Sequence, residues 1–255
     1  MIEAIQMNAG RRLRRALLWS AGAVGAATAA YAGYVADAWW RYGHPPAPAA
    51  DDTDPLLERF MPVYEVAERR HTRVAAPAEI TFAAACEQDL MARPIVRAIF
   101  KMRELVLDAD PDSAIHPRGL LAMTKSIGWG VLAEVPGREV VMGAVTQPWC
   151  GNVVFRRLPP DEFAAFDEPD HVKIAWTLRA DRSDPHECIF RTETRVLTTD
   201  AAARAKFRWY WSRFSPGIKL IRLISLAALR RDAERRAGRF SFPGRPERQP
   251  RAPHR

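Results

Sequence analysis

The sequence predicts an α+β fold: a curved antiparallel sheet wrapped around one long C-terminal helix, preceded by an N-terminal transmembrane-type helix. Three observations carry this. Residues 129–199 alternate apolar and polar side chains between turn signals, as strands with two distinct faces do. Phe207, Trp211, Phe214, Ile218, Ile221, Ser225 and Ala228 then recur at helical spacing, giving one sustained apolar stripe. Near the start, Ala16 to Val35 holds no charged residue.

That uncharged segment is twenty residues long, about 30 Å as a helix, close to the thickness of a bilayer's hydrocarbon core. Arg11, Arg12, Arg14 and Arg15 precede it, and Trp39, Trp40 and Tyr42 follow. Basic residues favour the cytoplasmic side and amphipathic rings favour the lipid–water interface. Residues 1–15 are therefore expected to form a basic cytoplasmic start. Residues 16–42 are expected to form a transmembrane or signal-anchor helix, with the folded part on the non-cytoplasmic side. Two rival readings stay open: a cleaved signal peptide ending at Ala30-Tyr31-Ala32, which leaves the protein secreted or periplasmic, and a soluble helix of small residues. Ala and Gly dominate the segment, so Leu17, Leu18, Trp19, Val24 and Val35 carry most of its apolar weight.

Residues 43–54 are rich in Pro and Ala with an acidic end, as an extended linker is. Residues 55–238 form the folded domain. Leu56 to Phe60 makes a helical turn, and Tyr64 to Val74 the first strand. Pro77 opens a helix through Leu90, and Pro94 to Leu107 follows with Ile95, Ile99, Met102 and Val106 on one stripe. Asp108 to His116 is a loop, and Pro117 to Ile127 a short helix closed by Gly128. Trp129 to Val135 and Arg138 to Gln147 form a hairpin around Pro136-Gly137. Asn152 to Leu158 reads as a further strand, and Pro159 to Asp167 as a short helix. Val172 to Ala180 and Glu187 to Thr199 complete six strands. The last two place Val172, Ile174, Trp176 and Leu178, and Phe190, Thr192, Thr194 and Val196, on single faces. Such alternation marks a sheet with one face covered and one wet. Asp200 caps the long helix, Pro216 should kink it, and residues 239–255 read as a disordered basic tail.

Charge is unevenly placed. The net +8 divides into +3 over residues 1–45, −6 over 46–199 and +11 over 200–255. The body is mildly acidic, which argues against a nucleic-acid partner. The basic end suits an anionic surface or a solvated helix face. Cys86, Cys150 and Cys188 match no metal-binding or redox spacing, and an odd number cannot all pair within one chain.

The order of elements, with one long helix as the only cover for the sheet, resembles the SRPBCC superfamily of START, polyketide-cyclase and birch-allergen helix-grip proteins. Several strings resemble an uncharacterised bacterial group within it. They are DPLLERFMPVYEVAERRHTRVAAPAEITFAAA (Asp54 to Ala85), GWGVLAEVPGREVVMGAVTQPW (Gly128 to Trp149), PPDEFAAF (Pro159 to Phe166), VKIAWTLRA (Val172 to Ala180) and TETRVLTTDAAARAKFRWYWSRFSPGIKLIR (Thr192 to Arg222). Six strands stand where the superfamily usually has seven. The resemblance implies a cavity for a hydrophobic small molecule or lipid between sheet and C-terminal helix. It implies no reaction, since only some members catalyse.

Hydrolase, metalloprotease, P-loop and dinucleotide motifs are missing from the sequence, and nothing in it calls for a metal or cofactor. Glu68, Glu139 and His71 are the residues a cyclase or hydrolase reading would use. Arg191, Glu193 and Arg195 read as a solvated charge ladder. Trp129, Val141, Val145, Phe155, Trp176, Phe190, Thr192 and Thr194 are expected under the long helix, with Phe207, Trp211, Phe214 and Ile218 as the opposite wall. These twelve either line a ligand cavity or fill a solid core. Membrane contact through residues 16–42 is the other expected partnership.

Overall fold

A computed structural model describes residues 2–49, 52–111 and 114–240. The expected tail lies outside these from residue 241 onward, as do two linker residues, 50 and 51. Seven helices and five strands make up the described chain. They are α1 (Ile2–Arg41), α2 (Pro55–Glu58), β1 (Val66–Val74), α3 (Ala78–Glu87), α4 (Pro94–Val106), α5 (Leu120–Ser126), β2 (Gly130–Val135), β3 (Glu139–Thr146), α6 (Pro160–Ala165), β4 (Val172–Asp184), β5 (Glu187–Thr198) and α7 (Ala201–Phe240).

The strands form one antiparallel sheet in the order β1-β5-β4-β3-β2. Two hairpins, β2-β3 and β4-β5, lie side by side, and β1 closes the far edge against β5. Its register sets Val66 opposite Val196 and Val74 opposite Cys188. The sheet thus has five strands where the sequence suggests six. Residues 152–158 make a single bridge, Arg156 to Val145, and no ladder. Thr146 Oγ1 donates to the Val154 carbonyl, and Asn152 bonds Asp110 across a loop, so side chains take up backbone partners here. Prolines at 159 and 160 end the segment.

The sheet's inner face packs against α3, α5 and α7. Val74, Val140, Met142, Ala144, Leu178, Ala180, Cys188 and Phe190 meet Phe82, Ala84 and Ala85 of α3 and Leu229 and Ala233 of α7. Helix α7 continues through Pro216. At the next residue, Gly217, a Cβ would come within 2.8 Å of Ile99 Cγ2, so the missing side chain lets α4 lie close on α7.

The outer face is also covered, contrary to the expectation of a wet one. Leu57 of α2, with Phe60 and Met61, and Phe163 of α6 pack on Leu132, Val141, Val145 and Ala175. Beneath them lies a charged network. Arg195, 1% exposed, donates from Nε to Glu193 at 2.7 Å and from Nη1 to Glu58 at 2.6 Å and to the Met61 carbonyl at 2.8 Å. Arg69 adds a second ion pair to Glu193 at 2.9 Å. Burial works against the Arg195 charge, but its hydrogen bonds to Glu193 and Glu58 outweigh it and hold the pKa above its ordinary value. Arg191, Glu193 and Arg195 are therefore not a solvated ladder. Alternation shows only which residues share a face, and here the segment after residue 52 folds back over that face.

The N-terminal helix also departs from expectation. Among the described residues, no helix is long and apolar enough to cross a membrane. Length suffices in α1, but Ala and Gly contribute too little hydropathy. Its C-terminal half docks on α7 instead. Tyr31 donates to the Arg213 carbonyl at 2.9 Å, and Tyr34 meets Ser215 at 3.0 Å. Arg208 lies 4.3 Å over the Trp39 ring, and Tyr42 is buried, donating to Glu65 at 2.7 Å. Of the rings read as interfacial anchors, Tyr42 is thus packed into protein, while Trp39 stays exposed under Arg208.

Removing one partner of a buried ion pair costs about 3–5 kcal/mol, whereas an exposed pair contributes about 0–1 kcal/mol. Arg195→Ala should lower the urea midpoint by an amount of the larger kind. Arg73→Ala, which breaks an exposed pair with Glu187, should barely move it. Equal midpoints for the two variants would show that the outer network carries no stability.

Candidate functional site

Between the sheet and the C-terminal half of α7 lies a cavity of about 230 Å³. Its floor is Trp176 and Leu178 of β4 with Phe190, Thr192 and Thr194 of β5. Ile218, Ile221, Arg222, Ser225, Leu226 and Leu229 of α7 form the roof. Ala85, Gln88, Leu90 and Leu120 close the side. Strand alternation puts the floor residues on one face. The 3.6-residue helical period brings the roof residues to one side of α7.

Five of the twelve anticipated residues line this space: Trp176, Phe190, Thr192, Thr194 and Ile218. Trp129 and Phe155 stand behind Trp176, with ring centroids 5.1 Å apart from each other and Trp129 6.1 Å from Trp176, edge-on. Phe207, Trp211 and Phe214 lie further up α7, in a solid cluster with Tyr42, Val66, Val172, Val196 and Tyr210. Val141 and Val145 are on the wrong face. They pack outward against α2 and α6, while Val140, Met142 and Ala144 point inward. Every residue of β3 is buried, so neither phase of its sequence is polar and alternation cannot assign its faces.

The twelve residues are therefore divided between the lining of this hollow and the packed clusters around it. Aromatic rings fill the groove beside the first turns of α7, whereas smaller side chains further along leave it hollow.

Most polar groups of the lining are already satisfied. Gln88 Nε2 donates to the Ser225 carbonyl at 2.9 Å, and Ser225 Oγ to the Ile221 carbonyl at 2.7 Å. Arg222 is the charged member. Its guanidinium donates to the Glu68 carbonyl and to Thr194 Oγ1. Burial pulls its pKa down to about 10, with Glu68 opposing that shift and Arg70 adding to it, so the group stays protonated at neutral pH. In the sequence Arg222 is one of many basic residues in the strongly basic C-terminal part and does not stand out. The available signal was its position, four residues after Ile218 and three before Ser225, on the apolar stripe itself.

The three residues a catalytic reading would use do not meet here. Glu68 pairs with Lys219 at 2.9 Å, His71 is exposed on the outer side beside Asp52, and Glu139 lies buried under the segment leading into α2. Glu139 is the most perturbed carboxyl. Burial first, then the neighbouring Asp54 carboxylate, raises its pKa to about 8, while Arg179 and Arg138 pull the other way. Glu139 Oε1 has no hydrogen-bond partner among the described residues.

No family model matches the chain, and no curated protein matches it. Solved structures give distant likenesses. CalU16 from Micromonospora echinospora is 10% identical, over 68% of this chain and 86% of its own, at a TM-score of 0.25. Norcoclaurine synthase from Thalictrum flavum is 11% identical, over 70% and 89%, at 0.25. The Zhui aromatase/cyclase of a Streptomyces species is 14% identical, over 67% and 94%, at 0.22. Superpositions this loose leave the fold assignment resting on the sheet order and the packing of α7, which fit a helix-grip arrangement.

The Glu139 shift has a consequence for stability. An unfolded Glu releases its proton near pH 4.5, whereas the folded one holds it to about pH 8. The native state therefore binds more protons through that window, and stability should fall as pH rises across it. Glu139→Gln should flatten the pH dependence of the urea midpoint in this range. An unchanged slope would mean that Glu139 ionises normally.

Proposed function

We propose that this protein is a binding module for a hydrophobic small molecule, held between β4, β5 and the C-terminal half of α7. One observation carries the reading: the hollow stretch of about 230 Å³ under α7, continuous with a core that is solid beside the first turns of the same helix. Apolar walls with a few oriented polar groups are what a small-molecule site requires. The volume lies below the range of about 300–1,000 Å³ usual for drug-sized ligands, which favours a small occupant.

The test is uptake of 1-octanol by the full chain, followed by titration calorimetry. Burial of an alkyl chain should give a negative heat-capacity change with one site per chain. Ser225→Trp, which places an indole in the hollow, should weaken uptake about tenfold or more while leaving the fold intact. Uptake equal in the variant and the parent would place the bound molecule elsewhere.

A second element of the proposal concerns where the ligand is met. Ile95, Met102, Leu105 and Val106 of α4 are exposed, Leu105 by 73%, with Arg97 and Lys101 on the same helix. Leu18 and Trp19 of α1 are exposed as well. An apolar face flanked by cations suits the surface of an anionic bilayer. The full chain should therefore sediment with vesicles containing anionic lipid and be released by alkaline carbonate, as a surface-bound protein is. Retention after carbonate would instead require a spanning segment.

A further inference from the structure

The arginines of the outer face share a pattern that Arg222 breaks. Arg69 and Arg195 pair with Glu193. Arg179 pairs with Asp54 and Asp181, and Arg191 with Asp52 and Asp181. Each of these four arginines has a carboxylate. Arg222 contacts a backbone carbonyl and a threonine hydroxyl, both neutral acceptors. The nearest acidic side chain, Glu68, is engaged by Lys219 at 2.9 Å. Arg70 stands close enough to oppose the Arg222 charge further. Arg222 thus brings a positive charge to the half-buried wall of the cavity, with Arg70 beside it and the Glu68 and Glu193 carboxylates partly offsetting it.

The opposite end is apolar. Leu226, Leu229, Leu120 and Ala85 face it. Seven residues of helix separate Arg222 from Leu229, a rise of about 10 Å. Within the hollow, Arg222, with Ile218 and Ile221 beyond it, and the leucine cluster thus stand apart by about the length of a short alkyl chain.

On the reading that this hollow is a ligand site, we infer that its ligand is an amphipathic monocarboxylate, its carboxylate on Arg222 and its apolar body toward Leu229. A guanidinium presents paired N–H donors in a fork that matches a carboxylate. Two of its five donors are occupied by Glu68 and Thr194, and others remain to meet an incoming anion. The bound carboxylate would supply the counter-charge that every arginine of the outer face already has.

Three probes of equal length separate the alternatives: octanoate, 1-octanol and octylamine, titrated into the full chain at neutral pH. At that pH they are anionic, neutral and cationic. The expected order is octanoate tighter than octanol by about tenfold or more, with octylamine weakest. Arg222→Met should remove the preference for octanoate while octanol still binds. Arg222→Lys should retain part of it, since charge survives but the fork does not. The preference should also persist in high salt, unlike attraction to the exposed basic faces.

Equal affinity for octanoate and octanol in the parent chain overturns the inference while leaving the cavity reading intact. Binding of none of the three overturns both. Should Arg222→Met fail to fold, the order of the three probes on the parent chain decides by itself.

Discussion

A 40-residue helix, α7, has to cover the inner face of a five-stranded sheet, and a sheet twists where a helix does not. The gap between them must be filled by side chains of different size along the helix. Phe207, Tyr210, Trp211 and Phe214 supply that volume beside the early turns, with Phe207 stacked on Trp211, Tyr210 stacked on Phe214, and Tyr42 tilted against Phe207. Further on come Ile218, Ile221, Ser225 and Leu226, too small to reach the floor made by Trp176 and Thr192. The hollow follows from this gradient of side-chain size, and so does its chemistry, because the same turns carry Arg222.

The outer face of the same sheet is covered by different means. A short helix and its flanking residues lie across it, held by the Arg195–Glu193–Glu58 contacts and by the Glu139–Asp54 neighbourhood. Buried ion pairs are weak sources of net stability but costly to break. Such a face resists alternatives more than it adds to the total. The segment is also what hides the outer face from water, so the sheet is sandwiched on both sides.

Helix α1 adds a third surface to α7. Tyr31, Tyr34 and the Trp39 carbonyl engage Arg213, Ser215 and Arg208. Tyr42 reaches across to Glu65, whose carboxylate also accepts from Thr198 at 2.6 Å. Burial and the adjacent Glu65 charge raise the Tyr42 pKa, so the phenol remains a donor to that carboxylate. This arrangement joins the helix to the β1–β5 edge and to the solid part of the core. Small residues along α1 are thus compatible with close packing on protein as well as with lipid, and only their neighbours distinguish the two.

The sequence by itself determined both hairpins, the long final helix, the inner faces of β4 and β5 and the order of the other elements, save for a strand at residues 152–158 that does not form. Each rests on a local period: Ile174, Trp176 and Leu178 alternate, and Phe207, Trp211 and Phe214 recur by helical turns. It also supplied five of the residues that line the hollow. Only the tertiary structure decided the facing of β3, because EVVMGAVT is apolar or small in nearly both phases. The same holds for the burial of Arg195, since no local pattern announces that residues 52–63 return over it. The role of Arg222 was hidden for the mirror-image reason. A charge on an apolar stripe looks solvated until its neighbours are known, and those neighbours, Glu68 and Thr194, come from strands more than twenty residues away in the chain. Periodicity records what a residue shares with its own segment, whereas burial and charge pairing depend on which other segment arrives.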